Sequence, residues 1–127
     1  MITMARLHLM YYYHLKKLQF IGSVETTLAA IAGAKDQVLV LQLTLNGKKR
    51  GKIIVRADQV QLINDQINMK LRGTRIADTK FWFWNKTCPF LRFYRLRKDD
   101  NRPILVYETE YANQTTEPSW KDISVPS

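Results

Sequence analysis

Apolar and polar positions alternate with a period of two through much of the chain, the signature of strands with one buried face. The run QVLVLQLTL (37–45) is nearly continuous in β-branched residues and leucine, and Asn46-Gly47 follows it with basic residues, a turn signal. In GKIIVRADQV (51–60), Ile53, Val55 and Ala57 alternate with Ile54 and Arg56. INMKLRGTRI (67–76) puts Ile67, Met69 and Leu71 on one face and Asn68, Lys70 and Arg72 on the other, a half-buried strand with a basic outer face. PFLRFYRLR (89–97) and PILVYETEY (103–111) flank the polar turn from Lys98 to Arg102 and predict a hairpin, and SWKDISV (119–125) predicts a further short strand. Helical signal is confined to VETTLAAIAGA (24–34), about one amphipathic turn around Leu28, Ala29 and Ile31 before Gly33 stops it. Many short strands between turn signals predict an antiparallel sandwich or barrel.

Composition narrows the class. A chain of 127 residues suits one domain, and 46% hydrophobic residues lies in the globular range. The formal charge of +9 and pI near 9.9 imply an anionic partner: phospholipid headgroups, nucleic acid or an acidic protein. Cys88 is the sole cysteine, which excludes an internal disulfide and fits a reducing compartment. No apolar run approaches the roughly 20 residues that span a bilayer. The opening MITMARLHLMYYYHLKK does not read as a signal peptide, so the sequons at Asn85 and Asn113 are expected to be chance matches.

Catalytic chemistry is not legible, and an enzyme is not expected. His8 and His14 have no cysteine or carboxylate cluster near them, and no metal-ligand spacing such as Cys-x-x-Cys occurs. Cys88 is followed by Pro89 at a strand entrance, and the five glycines are scattered rather than gathered in a phosphate loop. The basic residues say more. From 70 to 98 lie Lys70, Arg72, Arg75, Lys80, Lys86, Arg92, Arg95, Arg97 and Lys98 against one acid, Asp78. Spread over two predicted strands, they are expected to share one sheet face. Interleaved Phe90, Phe93 and Tyr94 would suit single-stranded nucleic acid, but no RNA-binding motif is present. Anionic lipid is the stronger expectation, at roughly 1 kcal/mol per basic residue near a membrane surface.

At FWFWNKTCPFLRFYR (81–95) the chain resembles the copines, cytosolic calcium-dependent phospholipid-binding proteins. Their second C2 domain carries Lys-Asp-Phe-Phe-Gly-Lys-Ser-Asp-Pro-Phe-Leu before a strand. The match runs through Phe83, Lys86, Pro89, Phe90 and Leu91, with Trp84 and Thr87 as near equivalents. YETEYANQTTEPSW (107–120) is similar to a downstream copine pattern through Thr109, Glu110, Asn113, Pro118 and Trp120. HLKKLQFIGSVETTLAAIAG (14–33) resembles the end of the copines' first C2 domain, and GKIIVRADQV that domain's closing strand. The resemblance therefore implies the last strands of one C2 domain (14–63) joined to the first strands of the next (64–127), with 1–13 an extension of uncertain order. Family calcium aspartates align with His14, Gln19, Trp82 and Cys88, so the carboxylates that a hard cation needs are missing and calcium binding is expected to be lost.

These readings converge on an all-β, C2-like antiparallel sandwich of about seven strands, a composite of two partial C2 domains. The resemblance implies peripheral binding to anionic phospholipid without calcium, at the cytoplasmic side of the plasma membrane. The expected membrane-binding residues are Phe81, Trp82, Phe83, Trp84, Lys70, Arg72, Arg92 and Lys86, the aromatic run forming a membrane-facing loop tip where indoles meet headgroups. The alternative is a protein-interaction module, or a degenerate copine fragment without activity. Specific nucleic-acid binding ranks last, and oligomerisation by strand exchange is a further expectation.

Overall fold

In a computed structural model the chain is described at residues 4–13, 17–33, 38–57, 66–77, 88–112 and 117–126. The order is β1 (Met4–Tyr13), β2 (Lys17–Thr27), α1 (Leu28–Ala32), β3 (Val38–Leu45), β4 (Lys48–Ala57), β5 (Gln66–Thr74), β6 (Phe90–Leu96), β7 (Pro103–Glu108) and β8 (Ile123–Pro126). All strand pairs are antiparallel, and the sheet order is β7-β6-β1-β2-β3-β4-β5-β8. Two four-stranded halves meet at one residue pair, Ser23–Thr44, and their inner faces enclose a common core. That is the all-β sandwich the alternation implies, with eight strands among the described residues where about seven are expected.

The core follows the period of two. Ala5, Leu7 and Leu9 of β1, Ile53, Val55 and Ala57 of β4, and Ile67, Met69 and Leu71 of β5 are all buried. Burying a Leu or Ile side chain contributes about 1.5–3 kcal/mol, so this layer holds the halves together. Residues 4–13, within the expected N-terminal extension, form β1, which sits between β2 and β6. The reason is in the pattern: Ala5, Leu7 and Leu9 point inward while Arg6 and His8 are only half buried. Residues expected to belong to two partial domains, in β2–β4 and in β5–β8, share one sheet and one core. The helical signal is shorter than its sequence span. β2 continues to Thr27, whose hydroxyl accepts from the Ala30 amide and caps α1, and Gly33 ends it.

Two bulges meet where the halves join. The β1–β2 register skips Ile21, and the β3–β4 register skips Arg50. A bulge leaves one residue's backbone outside the ladder. Here the Arg50 guanidinium donates to the Ile21 carbonyl at 2.8 Å, so one bulged residue satisfies the other. Gly51 follows with φ of 115°, and a Cβ there would stand 2.8 Å from the Ile76 Cα. Only glycine fits that position. Asn46 (φ 53°) and Gly47 (φ 78°) form the predicted hairpin turn between β3 and β4.

Candidate functional site

Because Ile53, Val55, Ile67, Met69 and Leu71 face inward, their strand neighbours must face outward. On β3, β4 and β5 this brings together Val38, Val40, Ile54, Arg56, Lys70 and Arg72. The register sets them in rows. Val38 pairs with Arg56 and Arg56 with Lys70; Val40 pairs with Ile54 and Ile54 with Arg72. Ser119 then bridges to Arg72 from the segment preceding β8. Val38, Ile54, Arg56, Lys70, Arg72 and Ser119 line a groove of about 320 Å³.

Its charge is one-sided. Among the described residues, no acidic side chain lines the groove and none forms an ion pair with Arg56, Lys70 or Arg72. Glu117 accepts from the Thr74 hydroxyl at 3.2 Å. Ser119 is held by backbone bonds on either side: the Gly73 amide donates to the Pro118 carbonyl and the Trp120 amide to the Leu71 carbonyl. Buried Trp120 anchors the segment, its indole N–H donating to the Pro89 carbonyl.

Lys70 and Arg72 thus reach the same groove, but Arg92 does not. Strands β5 and β6 follow one another in sequence, yet β1, β2, β3 and β4 lie between them in the sheet. Among the described residues, the basic side chains from 70 to 98 therefore do not form one patch. On the other half, Arg92 donates to the Glu108 carboxylate at 2.6 Å, with a longer contact to the Tyr12 hydroxyl and its guanidinium over the Phe90 ring. Arg6 is likewise paired with Glu25. Arg56, which sequence reasoning did not single out as a site residue, belongs to the groove. Its signal was the outward position opposite Lys70, visible only once β4 and β5 are in register.

The same half carries an aromatic outer face. His8 lies between Phe20 (ring centroids 5.1 Å apart) and Tyr94 (4.7 Å). Its Nδ1 is buried without a hydrogen-bond partner. Burial, with Arg6 and Arg92 nearby, lowers its pKa to about 4. Tyr12 stacks on Phe90, and exposed Tyr111 meets both edge-on.

Phe81, Trp82, Phe83, Trp84 and Lys86 lie outside the described residues, as does His14. Of the aligned calcium positions, Gln19 is an exposed β2 residue and Cys88 immediately precedes Pro89. Neither offers a carboxylate, and among the described residues no cluster of three His, Cys, Asp or Glu could hold a metal ion. These residues do not fit a calcium site. Several residues that carry the copine resemblance have structural roles. Thr109 and Leu91 bond reciprocally, the Thr109 amide to the Leu91 carbonyl and the Leu91 amide to the Thr109 hydroxyl, and Trp120 reaches Pro89. No helix among the described residues is long and apolar enough to cross a membrane.

No protein-family model matches the chain, and no solved structure matches it. Among curated proteins it is similar to copine-E of Dictyostelium discoideum, 26% identical over 103 residues. The match covers 81% of this chain but only 17% of that relative's length. The sequence similarity and the β-sandwich together point to a copine-like relationship.

Proposed function

We propose that the protein binds peripherally to anionic phospholipid membranes through the outer face of β3, β4 and β5, without calcium, at the cytoplasmic side of the plasma membrane. One observation carries this reading. Arg56 and Lys70, two cations, stand directly opposite each other across β4 and β5, with Arg72 beside them and no acidic partner among the described residues. Like charges facing across a strand pair destabilise a sheet. An anionic surface relieves that repulsion, and each cation near the surface contributes about 1 kcal/mol of attraction. Similarity to a copine supports the same class of partner. The aromatic run at 81–84 enters this reading as a sequence-based expectation for a second contact.

Vesicle co-sedimentation tests it. Binding should require phosphatidylserine, fall as salt is raised, and be unchanged by calcium or chelator. Lys70→Glu with Arg72→Glu should abolish it while Arg92→Gln leaves it intact. Equal binding to neutral and anionic vesicles would end the proposal. A protein-interaction role is favoured by the exposed aromatic face of the other half, with Phe20 46% and Tyr111 60% exposed.

A further inference from the structure

We infer that Ser119 is a phosphorylation site whose phosphate is taken up by Arg56, Lys70 and Arg72, which closes the cationic groove to membranes. The closure rests on the membrane reading; the seat of the phosphate in the groove does not.

Geometry sets this serine among cations. Ser119 is exposed and stands directly opposite Arg72, so both side chains leave the same face of the sheet. Among the described residues it is the one hydroxyl lining the groove, whose three cations form no ion pair. Backbone bonds on either side, from Gly73 to Pro118 and from Trp120 to Leu71, hold it in place. A phosphoserine carries about −1.5 to −2 charges at neutral pH and three strong acceptor oxygens. At position 119 it would meet the Arg72 guanidinium first, then the opposed Arg56 and Lys70 in the adjacent row. The repulsion across β4 and β5 would be relieved from within the chain, and the groove would no longer attract an anionic surface.

The surrounding sequence points to the class of enzyme that would modify it. Of all the serines and threonines in the chain, only Ser119 has an acidic residue three positions on, Asp122. Glu117 lies two positions before it, and both carboxylate residues are exposed. Acids flanking a serine in this way suit the basic cleft of an acid-directed serine kinase. In the transfer, the Ser119 Oγ attacks the terminal phosphorus of ATP and forms the new O–P bond. The bond from that phosphorus to the bridging oxygen breaks, ADP leaves, and the hydroxyl proton passes to the kinase's carboxylate base.

The experiment treats the full chain with casein kinase II and magnesium ATP and maps the product by mass spectrometry. Phosphate is expected at Ser119, absent from that position in Ser119→Ala and incorporated more slowly in Asp122→Asn. Phosphorylation should raise the melting temperature by a few degrees, and that rise should be missing in Arg72→Gln. Binding of the phosphorylated chain to phosphatidylserine vesicles should be weaker by about tenfold or more, and a serine phosphatase should restore it. No phosphate at Ser119 of the folded chain would overturn the site. A phosphorylated chain with an unchanged melting temperature would overturn the seat in the groove. Equal vesicle binding before and after phosphorylation would overturn the closure while the membrane reading stands. If the unmodified chain binds no vesicles, the membrane reading and the closure fall together, and a raised melting temperature still supports the phosphate's seat.

Discussion

Arg56 on β4 faces Lys70 on β5 as a directly opposed cross-strand pair, while Arg92, from the same basic stretch as Lys70, is neutralised by Glu108 on the other half of the sandwich. Charge among the described residues is therefore sorted by face, with ion-paired arginines on one half and the cationic groove on the other. Solubility alone does not require the unfavourable pairing, which is why the proposed membrane contact is placed there.

Replacing Arg56 with Glu should reveal the trade. Opposed to Lys70, a glutamate turns repulsion into attraction, worth about 0.2–1 kcal/mol on each side of zero, so the melting temperature should rise by a few degrees. Binding to anionic vesicles should fall in the same variant. A lower melting temperature would show that Arg56 supports the fold in its own right.

Arg50 should matter more than a surface arginine usually does. Arg50→Ala removes the donor from the bulged Ile21 carbonyl where the two halves meet. The expected loss is about 1–3 kcal/mol in denaturant unfolding, against about 0.5 kcal/mol or less for an exposed lysine such as Lys52. Gly51→Ala should be worse, because its positive φ and the 2.8 Å approach to Ile76 both oppose a side chain. Gly47→Ala, with a positive φ but open space around it, should cost about 1 kcal/mol.

His8 sets a pH dependence. Its pKa is lowered by burial first, then by Arg6 and Arg92, from 6.5 to about 4. Between those values the unfolded chain takes up a proton that the folded protein does not, so stability falls as pH drops from 6.5 toward 4. Because His8 is only partly buried, solvent screening reduces the effect to about 1–2 kcal/mol. His8→Phe, which keeps a ring between Phe20 and Tyr94, should flatten this part of the pH profile. An unchanged slope would show that other groups govern the acid limb.

Of the three tryptophans, Trp120 is buried at 2% exposure. A Trp82→Phe/Trp84→Phe variant should therefore emit at short wavelength and ignore added vesicles. The parent should shift blue on anionic vesicles, if 81–84 forms the membrane-facing tip expected from sequence. No vesicle-induced shift in the parent, under conditions where it co-sediments, would remove the tip from the account.

The sequence by itself determined the strands whose faces alternate cleanly. Ile53, Val55 and Ala57, and Ile67, Met69 and Leu71, announce both their strands and their buried sides, and Asn46-Gly47 announces its turn, because these signals are local. β1 and β2 were harder to read. The bulge at Ile21 shifts the register, and the neighbouring Met10 and Tyr11 are both buried, which breaks the period of two. Which strands become neighbours was decided only by tertiary structure. β1 lies against β6, pairing Leu7 with Phe93, because closing the core requires contacts far apart in sequence. The same long-range pairing leaves Lys70 and Arg72 in a groove beside Arg56 and Ser119 and gives Arg92 to Glu108. A linear sequence states that these residues are charged; the register of distant strands decides which of those charges meets a counter-charge.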